Sequence, residues 1–206
     1  MAREIEAKYR VESLAPLQTA LRRLGAVKRF SAVQTDRYFD TPQRALLCRD
    51  CGVRLRELQA VRAGEIKPDT RAELTYKGAR AKGRLKSRPE YQTHVDHPEA
   101  VVELLEAVGL EQTLVIQKRR QSYRLGRCLV ELDELPLIGT FVEIEGPSES
   151  AIATIASRLG LQGEPVADHY VALLLAACKG RRGRVDRITF GCPPIARGRR
   201  SAAKGR

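Results

Sequence analysis

The stretch "MAREIEAKYRV", residues 1–11, alternates charged and apolar side chains. Positions 4, 6, 8 and 10 are charged, and positions 5, 7, 9 and 11 are apolar. A period of two predicts a β-strand with one ionic and one apolar face. An ionic face ordinarily points to water, so the first question is whether this one lines something instead.

The same division into an ionic and an apolar face recurs in six further segments. Their polar sides are almost wholly ionic, and acids and bases are separated by strand, which a simply solvated face would not require. A barrel whose ionic faces point inward and whose apolar faces pack against helices accounts for this pattern. The polar sides carry Arg54 and Arg56; Thr75 and Lys77; Arg88, Glu90 and Gln92; Lys118 and Arg120; Glu131 and Asp133; and Glu143 and Glu145.

About eight strands alternate along the chain with four amphipathic or apolar helical stretches. The helical patterns cover residues 13–25, 98–110, 148–160 and 168–180. We therefore predict an α+β fold: an eight-stranded antiparallel β-barrel with flanking helices.

Length and composition fit one domain with a real core, since 43% of the 206 residues are hydrophobic. Residues 181–206 hold nine Lys or Arg and one Asp, so they carry +8 of the formal charge of +12. We expect a domain over residues 1–180 and a basic, mostly disordered tail over 181–206. No apolar stretch resembles a membrane span or a signal peptide, and the five cysteines suit reduced thiols, so we expect a cytoplasmic protein.

An ionic interior would be costly unless a charged ligand occupied it. Carboxylates supply the hard oxygen ligands that Mg²⁺ or Mn²⁺ prefers, and Lys and Arg donate to phosphate oxygens. A site with both sets favours a polyphosphate that binds with a divalent metal ion.

The segment Glu4-Ile5-Glu6-Ala7-Lys8 resembles the ExExK signature of the CYTH family, the triphosphate tunnel metalloenzymes. The order of the later segments strengthens the resemblance, which runs from residue 2 to about 179 and is greatest to the class IV adenylyl cyclase branch. These segments are "DRYFD", "VRLRE", "LTYKG", "SRPEY", "KRRQSYRL", "ELDELPLIGTFVEIEG" and "HYVALLL". The resemblance implies a tunnel of eight antiparallel strands, ATP or another triphosphate as substrate, and Mg²⁺ or Mn²⁺ as cofactor.

The resemblance also implies roles for individual residues. It assigns catalysis to Glu4, Glu6 and Lys8. Metal binding falls to Glu4, Glu6, Glu90, Asp133, Glu143 and Glu145. Triphosphate binding falls to Lys8, Arg54, Arg56, Lys77, Arg88, Lys118 and Arg120. Gln92 stands where the family often has a second acid, which weakens the expectation of a second metal ion.

Several alternatives stay open from the sequence. The reaction is either cyclisation of ATP to cyclic AMP and pyrophosphate, or hydrolysis by an inorganic, thiamine or nucleoside triphosphatase. A non-catalytic polyphosphate sensor or a nucleic-acid-binding protein would belong to another class, although the absence of Trp and the mixed charges argue against nucleic acid. A homodimer and a weak contact between the basic tail and nucleic acid are the further partners that the sequence allows. Cys48 and Cys51 have zinc-ligand spacing but lack well-spaced histidines, and His169 and Tyr170 are expected to cap and pack a helix.

Overall fold

The computed structural model describes residues 5–62, 65–79, 88–179, 184–191 and 196–197, and the predicted metal ligand and catalytic residue Glu4 lies outside these residues. The strands are β1 (Ile5–Val11), β2 (Val27–Asp40), β3 (Gly52–Arg62), β4 (Glu65–Lys77), β5 (Glu90–Val95), β6 (Glu111–Leu125), β7 (Cys128–Leu135), β8 (Gly139–Gly146), β9 (Arg184–Val185), β10 (Arg187–Ile188) and β11 (Ala196–Arg197). The helices are α1 (Ala15–Arg23), α2 (Ala45–Cys48), α3 (Pro98–Ala107), α4 (Glu149–Arg158) and α5 (Tyr170–Ala177).

Strands β1 to β8 form one antiparallel sheet in the order β1-β8-β7-β6-β2-β3-β4-β5. The sheet curls around a cavity of about 1590 Å³, and no pairing joins β1 to β5 in the part of the chain that the structure describes. The predicted α+β fold with eight antiparallel strands is confirmed, with a barrel-like sheet that is not strictly closed.

The ionic faces of the strands point into this cavity, as the alternation predicted. In β1, Glu6 and Lys8 line the cavity, whereas Ala7 and Tyr9 pack against the outer apolar core. That core lies between α1, α4 and the outer sides of β1, β6, β7 and β8, and it contains the fully buried Leu21 and Val130. The outer apolar faces therefore hold the sheet to its helices and leave the inner face for charged side chains.

Helix starts follow local rules at two of these helices. α3 begins at Pro98, whose fixed φ and missing N–H suit the first helical turn. At α4 the Ser148 hydroxyl accepts a hydrogen bond from the Ala151 backbone N–H, which satisfies one orphan donor of the first turn. α3 then covers the outer side of β2 to β5 through Leu105, which packs with Phe39 and Leu55.

Helix α5 covers the end of the cavity at which β6 and β8 begin. Its Leu174 is fully buried among Ile116, Phe141 and Leu135. The ring of Tyr170, at the first turn, meets Phe141 edge-on at 5.3 Å between ring centroids. The last predicted helix is thus an end wall of the cavity, and its first residue reaches the ionic interior.

The chain beyond α5 differs in part from the expectation of a disordered tail. Strand β10 pairs in parallel with Val115 and Ile116 of β6, and Ile188 is fully buried beside α5. Phe190 lies against the Arg119 guanidinium at 4.1 Å. The composition argument gave too little weight to the apolar Ile188 and Phe190 within this basic segment. The boundary at residue 180 stays a prediction.

Two further findings concern the described residues. Their four cysteines, at positions 48, 51, 128 and 178, are free thiols. None of their helices has both the length and the apolar character needed to cross a membrane.

We expect Ile188→Ala to lower the free energy of unfolding by about 2–5 kcal/mol, because it removes a fully buried side chain next to α5. Leu104→Ala, at a position that is 61% exposed, is the matched control and should change it by less than about 0.5 kcal/mol. Denaturant titration of both variants measures this. Equal stability of Ile188→Ala and the unchanged protein would show that the segment does not pack on the domain.

Candidate active site: an ionic tunnel

The cavity inside the sheet gathers the charged residues that the sequence singled out. Each strand contributes alternate residues to the inner wall, so residues far apart in the chain face one another across it. The predicted residues that line this cavity are Glu6, Lys8, Arg54, Arg56, Lys77, Arg88, Glu90, Lys118, Arg120, Glu143 and Glu145. We refer to this ionic cavity as the tunnel.

Arg120 is the most heavily bonded base of the tunnel. Its Nε donates to Asp133 Oδ1 at 2.7 Å, and its other nitrogens bond Asp133, Glu131 and Glu143. Burial alone would raise the pKa of Asp133, but the charges of Arg120 and Lys118 hold it well below its usual range. Asp133 is therefore ionised and, because both of its oxygens are engaged, fixes the planar guanidinium in place.

Asp133 does not suit the metal-binding role that the resemblance implies. It is fully buried, is not among the residues that line the tunnel, and accepts from Arg120 with both of its oxygens. Its charge serves to position Arg120 and Lys118, whose Nζ lies 3.4 Å from Asp133 Oδ2.

The surroundings of Lys118 destabilise its charged form. Burial and the neighbouring charge of Arg120 lower its pKa to about 8, and Asp133 only partly offsets this. With this pKa Lys118 is mostly charged at pH 7, and a polyanion would stabilise that charge.

Lys8 of β1 contacts β8 and the segment that leads into α5. Its Nζ lies 3.3 Å from Glu143 Oε1 and donates to the Asp168 carbonyl at 3.1 Å. It also lies 4.0 Å from the centroid of the Tyr170 ring, and Lys118 Nζ approaches the same ring at 5.1 Å. Tyr170 is thus in contact with two buried cations, although the sequence assigned this residue only to capping and packing.

The opposite wall is built from β2, β3 and β4. Arg56 forms a two-pronged pair with Asp36, at 2.6 and 2.7 Å. Burial alone would raise the pKa of Asp36, but the charge and hydrogen bonds of Arg56 hold it well below its usual range. Arg54 donates to Thr75 and lies 3.5 Å from Glu73. The sequence missed Asp36 and Glu73 as site residues, although both stand on the inward register of their strands, opposite Arg56.

The outer part of this wall carries three more of the predicted residues. Lys77 Nζ lies 3.0 Å from Glu90 Oε2, and Arg88 lines the same stretch of the tunnel. Gln92 hydrogen-bonds to Glu73, so the amide that departs from the family pattern partners an acid on the next strand.

The remaining carboxylates cluster along β1, β7 and β8. Glu6 pairs in register with Glu145, Lys8 with Glu143, and Glu143 with Glu131. Among the residues that the structure describes, no three His, Cys, Asp or Glu side chains converge as a preformed metal centre. Glu143 instead forms ion pairs with Arg120 and Lys8. Burial alone would raise the pKa of Glu143, but the neighbouring cations, Arg120 above all, lower it.

A barrel-like antiparallel sheet around paired Lys, Arg and carboxylate side chains defines a polyanion-binding tunnel protein. Residues 2–158 match the model of the CYTH domain, and the chain belongs to the CYTH family, as the sequence predicted.

Individual proteins of known name or structure resemble the chain at lower identity. Adenylate cyclase CyaB of Aeromonas hydrophila is 29% identical over 168 residues, covering 77% of this chain and 81% of that protein. A candidate adenylate cyclase from Vibrio parahaemolyticus superposes with a TM-score of 0.70 at 23% identity, covering 84% and 98% of the two chains. A Hippeastrum protein, described as a candidate adenylyl cyclase with a dominant triphosphatase activity, superposes with a TM-score of 0.63 at 18% identity, covering 84% and 95%. These structures confirm the fold.

We expect Lys118→Met to stabilise the ligand-free protein at pH 7 by about 1–3 kcal/mol. In the folded protein the Lys118 ammonium has a pKa of about 8, against 10.5 for an ordinary lysine. The free-energy penalty for keeping Lys118 charged is therefore complete below pH 8 and fades as the pH rises toward 10. The same change should weaken tripolyphosphate binding at least tenfold, because a phosphate partner is lost.

Thermal melts at pH 7 and pH 9.5, with tripolyphosphate titrations, measure both effects. Lys179→Met, at an exposed position, is the control and should change neither. A stabilisation that persists unchanged at pH 9.5 would contradict the assignment of the effect to the Lys118 charge.

Proposed function

We propose that this protein is a metal-dependent enzyme that acts on triphosphates, and that its reaction is the conversion of ATP to cyclic AMP and pyrophosphate. Membership in the CYTH family supports the first statement. The likeness to adenylate cyclase CyaB of Aeromonas hydrophila supports the second. The chemistry of the tunnel must then be consistent with both.

The observation that carries the proposal is the group of largely buried cations at the centre of the tunnel. Lys8, Arg54, Arg56, Lys118 and Arg120 come from three different strands and line one cavity. They present guanidinium forks and ammonium groups from several directions, which suits the oxygens of a chain of phosphates. Burial strengthens these contacts, because water screens them less than at a surface.

The carboxylates fit a divalent cation that binds together with the phosphates. Mg²⁺ and Mn²⁺ prefer oxygen ligands, and Mg²⁺ is usually held by one or two carboxylates plus substrate phosphates and water. This explains why three convergent protein ligands are not needed beforehand. Glu6, Glu143 and Glu145 would hold the ion, together with Glu4 as the sequence predicts. When bound, it would neutralise phosphate charge and polarise the phosphorus under attack.

The residues of the chain supply positioning and charge. In cyclisation, the ribose 3′-oxygen bonds to the α-phosphorus, the bond from that phosphorus to the bridging oxygen breaks, and the 3′-hydroxyl proton passes to water. Negative charge then grows on the leaving pyrophosphate. Arg120, Lys118 and Arg56 are held by their acids where that charge develops, so they stabilise it without rearranging at the moment of reaction.

A triphosphatase would use the same cationic centre and bring water to the terminal phosphorus. The Hippeastrum protein is described as having a dominant triphosphatase activity, so this reaction is the second candidate. A homodimer, a weak contact of the basic tail with nucleic acid and a cytoplasmic location stay predictions.

We expect purified protein with Mn²⁺ or Mg²⁺ and ATP at mildly alkaline pH to release cyclic AMP and pyrophosphate. Tripolyphosphate should inhibit, because it occupies the cationic centre without a ribose. Product analysis by chromatography decides the reaction. ADP and phosphate as products, or faster cleavage of tripolyphosphate than of ATP, would make the protein a triphosphatase.

We expect Glu6→Gln to lower turnover at least 100-fold and to weaken stabilisation by Mn²⁺ in the presence of tripolyphosphate, because the amide keeps the shape and loses the charge. Glu103→Gln, on the exposed side of α3, is the matched control and should leave both unchanged. Turnover and metal-dependent melts of both variants provide the test. A fully active Glu6→Gln protein with normal metal affinity would remove β1 from the metal site.

A further inference from the structure

Two of the lysines that are expected to bind phosphate approach the same aromatic side chain. Lys8 Nζ lies 4.0 Å and Lys118 Nζ lies 5.1 Å from the centroid of the Tyr170 ring. The two lysines belong to β1 and β6, which are separated in the sheet by β8 and β7. Direct pairing between their strands therefore does not set the distance between the two ammonium groups, whereas the shared ring contacts both.

The Tyr170 ring is held in place by contacts other than those with the lysines. The Val166 backbone N–H donates to the backbone carbonyl of Lys8 at 2.7 Å, which ties the segment before α5 to β1. Phe141 meets the ring edge-on, at 5.3 Å between centroids. Leu174, one helical turn further along α5, is fully buried and anchors the helix. The ring is thus a fixed surface against which two long, flexible side chains rest.

A ring holds a cation differently from a carboxylate. Its π face attracts an ammonium group without bringing a negative charge that cancels it. Asp133 and Glu143 also hold these lysines, but they compensate the charge that a phosphate would use. Burial, together with the charges of these two acids, raises the pKa of Tyr170 well above its ordinary value, so the ring stays neutral beside the two cations.

We propose that Tyr170 is a positioning residue, whose ring holds the ammonium groups of Lys8 and Lys118 at a fixed separation and leaves both charges to the phosphates. Tyr170 acts through the two lysines and does not need to touch the substrate. Because it is the first residue of α5, the docking of this helix helps to arrange the cations of β1 and β6. This inference rests on the proposed function, which assigns the two lysines to the triphosphate.

Calorimetric titration of tripolyphosphate with Mg²⁺ into the full-length protein measures the effect of the ring. Tyr170→Leu should weaken binding roughly tenfold, because two cation–π contacts are lost. Tyr170→Met is a second non-aromatic variant and should behave alike. Tyr170→Phe should restore the affinity to within about twofold of the unchanged protein, since it keeps the ring. The matched control is Tyr123→Leu, which removes a buried ring of the outer core and should lower stability without changing the affinity.

A double-mutant cycle with Lys118→Met tests whether Tyr170 acts through the lysines. In the Lys118→Met protein, adding Tyr170→Leu should cost only about threefold in tripolyphosphate affinity, the part of the effect that acts through Lys8. A purely structural role of the tyrosine would cost the same factor in both backgrounds. Losses that simply multiply would therefore overturn the inference.

The remaining outcomes separate this inference from the function beneath it. Equal losses in Tyr170→Leu and Tyr170→Phe would assign the effect to the hydroxyl and overturn the role of the ring. Unchanged affinity in Tyr170→Leu and Tyr170→Met would overturn it as well. In both cases the unchanged protein still binds tripolyphosphate, so the triphosphate tunnel remains. Failure of the unchanged protein to bind tripolyphosphate would overturn the proposed function and this inference together.

Discussion

The ion pair between Arg120 and Asp133 is the interaction on which the rest of the tunnel depends. Asp133 is fully buried, so removing Arg120 would take away its two-pronged partner and leave Lys118 to balance its charge; breaking a buried ion pair costs about 3–5 kcal/mol. Arg120 in turn holds Glu143, which balances Lys8, while Asp133 holds Lys118. Charges from β1, β6, β7 and β8 are therefore tied into one network through a single guanidinium.

Such a network is a poor source of stability, because desolvating each ion offsets most of what the pairing returns. The apolar cores on the outside of the sheet supply the stability instead, through residues such as Leu21, Val142 and Ile144, which are fully buried. Strand alternation makes this division possible, since each strand gives one face to each task. The protein can then keep a polar interior for a ligand.

The alternation itself was readable from the sequence, and it led correctly to the strands, the inward ionic faces and the family. The ion-pair partners of the charged residues could not be predicted, because they depend on the register between strands that lie far apart in the chain. Asp36 looked like one charge among many until β2 and β3 placed it opposite Arg56. The sequence predicted only a packing role for Tyr170, because its contacts with Lys8 and Lys118 exist only once α5 closes the end of the tunnel. Ile188 was hidden within a basic segment whose overall composition argued for disorder.

The pairing of the bases with acids also constrains the ligand. A polyanion arriving alone would draw Arg120 and Lys8 toward its phosphates and leave Glu143 unpaired in a place where burial penalises its charge. A ligand that carries both signs, as a triphosphate with a divalent cation does, offers a new partner to the bases and to the carboxylates at once. The pairing of bases with acids thus favours charge-compensated ligands, and the same pairing reduces repulsion among the bases when no ligand is bound. An unbalanced, wholly basic tunnel would have bound any polyanion, including nucleic acid, and would have lost that selectivity.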